Sequence, residues 1–202
     1  TDVYLANFVA SSARGFMIYG AAINSLAGAA VCVSDVDNDG LKDVVLSSKT
    51  SLSSPYDVIV IYGRRNTTSI TDIDLLAFTT GALGVKMATS GLISTPSSFY
   101  LIQLGDFNGV NIDDFALGTT TFSYLTRTNC GAVFVMLGHS SRPTTDVALS
   151  TLGAGAIVKI VGENSVDNAG YLGENCDLNG DGVRDLLVGA RNAAYAGTSS
   201  GT

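Results

Sequence analysis

The sequence predicts an all-β fold of repeated four-stranded antiparallel sheets, about three of them and short of a closed ring, and three observations predict it. The first is a loop, Asp35-Val36-Asp37-Asn38-Asp39-Gly40-Leu41-Lys42-Asp43, that sets carboxylates at positions 1, 3, 5 and 9. The second is its return. Asp177-Leu178-Asn179-Gly180-Asp181-Gly182-Val183-Arg184-Asp185 repeats it, Asp106-Phe107-Asn108-Gly109-Val110-Asn111-Ile112-Asp113-Asp114 is a degraded copy, and successive copies start 71 residues apart. The third is what flanks each loop, a short apolar β-type run on either side, such as residues 30–33 before the first copy and 44–46 after it. Each loop is therefore the turn of a hairpin, and the period orders the rest of the chain.

Taken in order, residues 1–14 begin Thr1-Asp2-Val3, which returns as Thr71-Asp72-Ile73 and Thr145-Asp146-Val147. This reads as a connector carrying the chain from one sheet to the next. An apolar strand follows each connector, at 15–20, 84–88 and 156–162. Next come a Gly/Ser-containing turn, the strand entering the loop, the loop, the strand leaving it, a polar loop, and a further strand at 58–63 or 132–138. Four strands of about 5–6 residues with their turns fill a repeat of about 70 residues, which is one blade of a β-propeller. The repeats are 1–70, 71–144 (with the degraded loop) and 145–202 (stopping before its last strand). A propeller closes with about four to eight blades, so the missing blades are expected from the remainder of a longer chain or from other protein subunits, and we favour the former.

Carboxylates crowded on one short loop repel each other unless a hard, oxygen-seeking cation sits between them, and calcium (Ca2+) is the cation this pattern suits. An EF-hand is excluded. It needs a bidentate Glu at position 12, where this chain has Leu46 and Val188. With Gly15-Phe16-Met17-Ile18-Tyr19-Gly20 before the first loop and Leu187-Val188-Gly189-Ala190 after the third, the chain resembles the FG-GAP repeats of integrin α-subunit propellers and related extracellular proteins. Arg191 stands where the motif's proline would be. The resemblance implies Asp35, Asp37, Asp39, Asp43 and the Leu41 carbonyl as ligands in the first loop, and Asp177, Asn179, Asp181, Asp185 and the Val183 carbonyl in the third. Alternation along a tight loop gives the same set. The second loop keeps Asp106, Asn108 and Asp114 but has Val110 at position 5 and Asn111 for the glycine. It is expected to keep its shape and to bind calcium weakly or not at all.

Composition narrows the function. The net charge of −7 comes largely from the loop aspartates, and eleven scattered Lys and Arg form no basic patch, so nucleic acid is not an expected partner. No apolar run is long enough to span a membrane. The chain begins at Thr1 without a signal peptide, as a mature or excised segment would. Cys32, Cys130 and Cys176 have two readings: small buried hydrophobes, or a Cys130–Cys176 disulfide with Cys32 paired elsewhere. Asn66-Thr67-Thr68 is an N-glycosylation sequon and, with the calcium loops, points to an extracellular or cell-surface glycoprotein. Catalysis finds no constellation. His139, the single histidine, sits in a turn, and the aspartates are needed by metal. The expected role is a non-enzymatic structural or cell-adhesion module. The alternatives are a receptor propeller that binds glycans or a protein through loops such as those of Tyr124 and Tyr195, and an accessory propeller of a secreted enzyme.

Overall fold

A computed structural model describes residues 15–51, 53–65, 71–90, 99–153, 155–173 and 176–194. Strand β1 (Ile18–Tyr19) comes first. The first full sheet is an antiparallel meander of β2 (Val31–Ser34), β3 (Asp43–Ser48), β4 (Asp57–Ile61) and β6 (Gly84–Ala88), with β5 (Ile73–Asp74) in the connection between β4 and β6. The second repeats the plan with β7 (Phe99–Gly105), β8 (Asp114–Thr119), β9 (Ala132–Met136) and β11 (Ile157–Val161), and β10 (Val147–Ala148) lies in the matching connection. Strands β12 (Ala169–Leu172) and β13 (Val188–Ala190) form the hairpin that starts a third sheet. The architecture is a partial β-propeller.

The middle strands β3, β4, β8 and β9 are buried along almost their whole length because both faces are covered. In β4, Val58 and Val60 face a core shared with Phe115, Leu117 and Phe134 of the second sheet, while Ile59 and Ile61 face the opposite side with Leu46, Ile73 and Leu75. In β9, Phe134 joins the shared core and Val133 and Val135 pack on the far side with Leu172, Leu186 and Val188 of the third hairpin. Period-two alternation thus distributes each strand between two interfaces, and the sheets stack face to face. Each large apolar side chain buried this way contributes about 1.5–3 kcal/mol. Between the second and third sheets the backbones come close enough to require glycine. A Cβ on Gly118 would lie 2.1 Å from the Gly170 carbonyl oxygen.

Two expectations change. The Thr-Asp connector does not carry the chain between sheets, since β4 and β6 on either side of it pair with each other. It instead pins the outer strand of the preceding unit. Strand β5 pairs parallel with β1, and β10 pairs parallel with β6. Asp72 accepts the Met17 N–H at 2.8 Å, and Asp146 accepts the Thr80 hydroxyl at 2.6 Å. The passage between sheets comes after the fourth strand. As a result the sheets are offset from the repeats 1–70, 71–144 and 145–202, because β6 and β11 lie beyond a repeat boundary yet complete the sheet before it.

Candidate metal centre

The first two loops start where one strand ends and stop where its partner begins, and the third is closed by the Cys176–Asp185 bridge within the β12–β13 hairpin, so pairing fixes the two ends of each. The interior of each is held by its own side chains. In the first loop Asp35 accepts the N–H groups of Asp39 (3.1 Å) and Gly40 (3.1 Å), Asp37 accepts Asp39 N–H (3.2 Å), and Asp39 accepts Leu41 N–H (2.8 Å). The third loop reproduces the pattern. Asp177 accepts from Asp181 and Gly182, Asn179 from Asp181, and Asp181 from Val183. So does most of the second, where Asp106 accepts from Val110 and Asn111, and Asn108 from Val110. Positions four and six are left-handed in all three, as Asn38 and Gly40, Gly109 and Asn111, Gly180 and Gly182. Asn and Gly exchange places between the first two loops because both tolerate that conformation.

Among the described residues, carboxylate oxygens of Asp35, Asp37 and Asp39 converge to within 4.8 Å of one another. Three hard oxygen donors at that spacing fit a calcium ion, whose charge would offset their mutual repulsion. Asp43 stands apart from this cluster. Fully buried at the hairpin base, it accepts Val36 N–H at 2.9 Å through one oxygen and Gly63 N–H at 2.7 Å through the other. Asp114 does the same for Phe107 and Gly138, and Asp185 accepts Leu178 N–H. Position nine therefore ties the loop to the hairpin, and in the first two copies also to the glycine just beyond the next strand. Leu41 and Val183 sit at position seven, where their N–H groups donate within the loop.

Charge and burial set the protonation of these groups. Burial pushes the Asp43 carboxyl up to about 6, against the pull of the two amides and with a further push from Asp37 and Asp35. Burial also raises Asp114. It acts on Asp113 too, but there Lys42, the Asp35 amide and Ser34 together hold the carboxyl below its ordinary value. Asp177 is lowered, first by the Gly182 amide.

Three participants go beyond the sequence reading. Asp113, at position eight of the second loop, reaches the first: it accepts Asp35 N–H at 3.0 Å, pairs with Lys42, and donates its own N–H to the Asp35 carbonyl at 3.2 Å. The signal was a charge reversal, since position eight is Lys42, Asp113 and Arg184 in turn. Arg142, in the turn after β9, spans Asp37 and Asp39 with its guanidinium 4.4 Å over the Tyr62 ring. Nothing local in its sequence announces this. His139 is exposed, as expected of a turn residue, yet its N–H donates to the Val36 carbonyl at 2.9 Å.

The Cys130–Cys176 disulfide is not formed. All three thiols are free. Cys130 is fully buried, with its thiol toward the Phe122 carbonyl, and Cys176 is exposed at the base of the third loop. The small-hydrophobe reading holds for Cys130. The Tyr124 ring is covered by Lys159 (4.1 Å) and Arg127 (5.4 Å). Asn66 and Tyr195 lie outside the described residues.

Residues 169–201, a stretch that begins with the third hairpin and its loop, match the family model of the FG-GAP repeat. The third hairpin is therefore similar to an FG-GAP repeat. It is also 27% identical over 192 residues to the phosphatidylinositol-glycan-specific phospholipase D of Dictyostelium discoideum, an alignment that covers 92% of this chain and 20% of that protein. The chain thus spans about a fifth of the length of the curated relative it matches. No described helix is long and apolar enough to cross a membrane.

Proposed function

We infer that these blades form a calcium-stabilised, non-catalytic propeller module of an extracellular or cell-surface protein, with a structural or adhesive role. The observation that carries the reading is the convergence of Asp35, Asp37 and Asp39 on a loop whose backbone geometry the third loop repeats. Calcium there is a fastener. Held by Asp35, Asp37 and Asp39, it would offset their charge, while Asp43 and Asp185 hold the hairpin base. Extracellular calcium is abundant enough to fill loops of modest affinity. The test is thermal unfolding in chelator, in calcium and in magnesium. Calcium should raise the melting temperature by several degrees and magnesium by less, because magnesium demands a tighter octahedron and sheds water reluctantly. Equal curves in calcium and chelator would end the reading.

The similarity to the phospholipase D favours a second reading, an accessory propeller of a protein whose catalysis lies elsewhere. Under both readings, this chain incubated alone with a phosphatidylinositol-glycan-anchored protein releases none of it. Release abolished by a point substitution in this chain would overturn the non-catalytic assignment.

A further inference from the structure

The first loop consumes most of its carboxylate oxygens internally. Asp35 gives both to loop amides, and Asp37 and Asp39 each give one. The two oxygens left over, Oδ2 of Asp37 and Oδ2 of Asp39, are those that Arg142 holds, Nη2 lying 2.7 Å from Asp39. Arg142 comes from the second blade, about a hundred residues away in sequence. The Asp37 side chain is only 3% exposed, and a buried carboxylate requires a counter-charge whenever metal is absent. In the third loop the corresponding Asp181 Oδ2 accepts the neutral Asn179 side-chain amide at 2.9 Å.

We propose that Arg142 is a built-in counter-ion of the first loop, which calcium must displace from Asp37 and Asp39 in order to bind there. The inference rests on the calcium reading of the loops. A guanidinium and a divalent cation cannot share the same two oxygens without strong like-charge repulsion. The first loop therefore exchanges one cation for another, whereas in the third the described partner of Asp181 Oδ2 is the neutral Asn179 amide. Arg142 keeps the metal-free junction between blades neutralised and lowers the first loop's affinity. It is a positioning and affinity-setting residue, not a ligand.

The experiment is calorimetric calcium titration of the chain carrying Asp181→Ala, so that the first loop reports alone. Adding Arg142→Gln should tighten binding roughly tenfold, the scale of a partly buried ion pair. Adding Arg142→Lys should leave affinity near that of the parent. Unchanged or weaker binding in Arg142→Gln overturns the proposal, as does a first loop that stays silent in every variant. If the third loop, read in Asp39→Ala, is silent as well, the calcium reading itself has failed. Should Arg142→Gln not fold, the unmodified chain still decides. Its Arg142 Nε–H resonance should move as calcium fills the first loop, and a resonance that stays fixed through saturation overturns the proposal.

Discussion

At position nine of the first loop, Asp43 performs a different task from Asp35, Asp37 and Asp39: it terminates two backbone amides in a buried site. Replacing it by Asn leaves the shape unchanged but turns an NH2 group toward Val36 or Gly63. A buried amide without an acceptor costs about 1–3 kcal/mol, so Asp43→Asn should lower the melting temperature by about 2–10 °C. The size of that deficit depends on pH. Burial holds the folded Asp43 carboxyl at about 6 in the metal-free chain, above the ordinary value of about 3.9. A raised acid favours the folded state when protonated. Its contribution is fully present below pH about 4 and is lost as pH rises through about 6. Asp113 and Asp177, held low, act in the opposite sense but are common to both proteins and cancel in the difference. In chelator, the deficit of Asp43→Asn relative to the parent should be greatest near pH 4 and shrink toward pH 7. A deficit constant across that range would show that Asp43 is not shifted.

The connection between the first two loops separates charge pairing from backbone satisfaction. Lys42 is 57% exposed, so Lys42→Ala should cost at most about 1 kcal/mol. Asp113→Ala removes the same pair but also strips the Asp35 amide and Ser34 of an acceptor. That cost is about 1–3 kcal/mol, and urea unfolding of the two single variants and the double should show Asp113 dominating. Equal losses would reduce the connection to a salt bridge. At the next interface, Gly118→Ala brings a methyl to 2.1 Å from the Gly170 carbonyl, a backbone atom with no rotamer to escape into. The third hairpin should then loosen, read as faster protease cleavage between residues 169 and 190. Loops and strands were legible in the sequence because each is a local pattern: alternating carboxylates that return every 71 residues, or short apolar runs placed around them. The connector was misread because a segment joining two strands looks the same whether they share a sheet or not. Arg142 was invisible because its partners belong to another blade, and the Cys130–Cys176 pairing failed because count and spacing do not measure burial.

The two intact loops occupy unequal positions in the molecule. The first is built into the junction between sheets, where its carbonyls at Asp35 and Val36 accept the N–H groups of Asp113 and His139 from the second blade. The third is exposed along residues 176–184. Under the proposed calcium reading, an ion at the first loop would therefore stiffen an inter-blade contact, and one at the third would stiffen a hairpin. Chelation should lower the melting temperature by several degrees, with Asp39→Ala and Asp181→Ala each reproducing part of the loss. Amide hydrogen exchange should separate the parts. Asp39→Ala releases the loop backbone that presents the Asp35 and Val36 carbonyls, so exchange should accelerate at Asp113 and His139 as well as within residues 35–43. Asp181→Ala should accelerate exchange within 177–185 and leave those two amides protected. The contrast follows from local opening, in which an amide exchanges when the particular bond that protects it breaks. If Asp39→Ala leaves Asp113 and His139 as protected as in the parent, the first loop is a local fastener like the third, and the junction holds independently of the metal cluster.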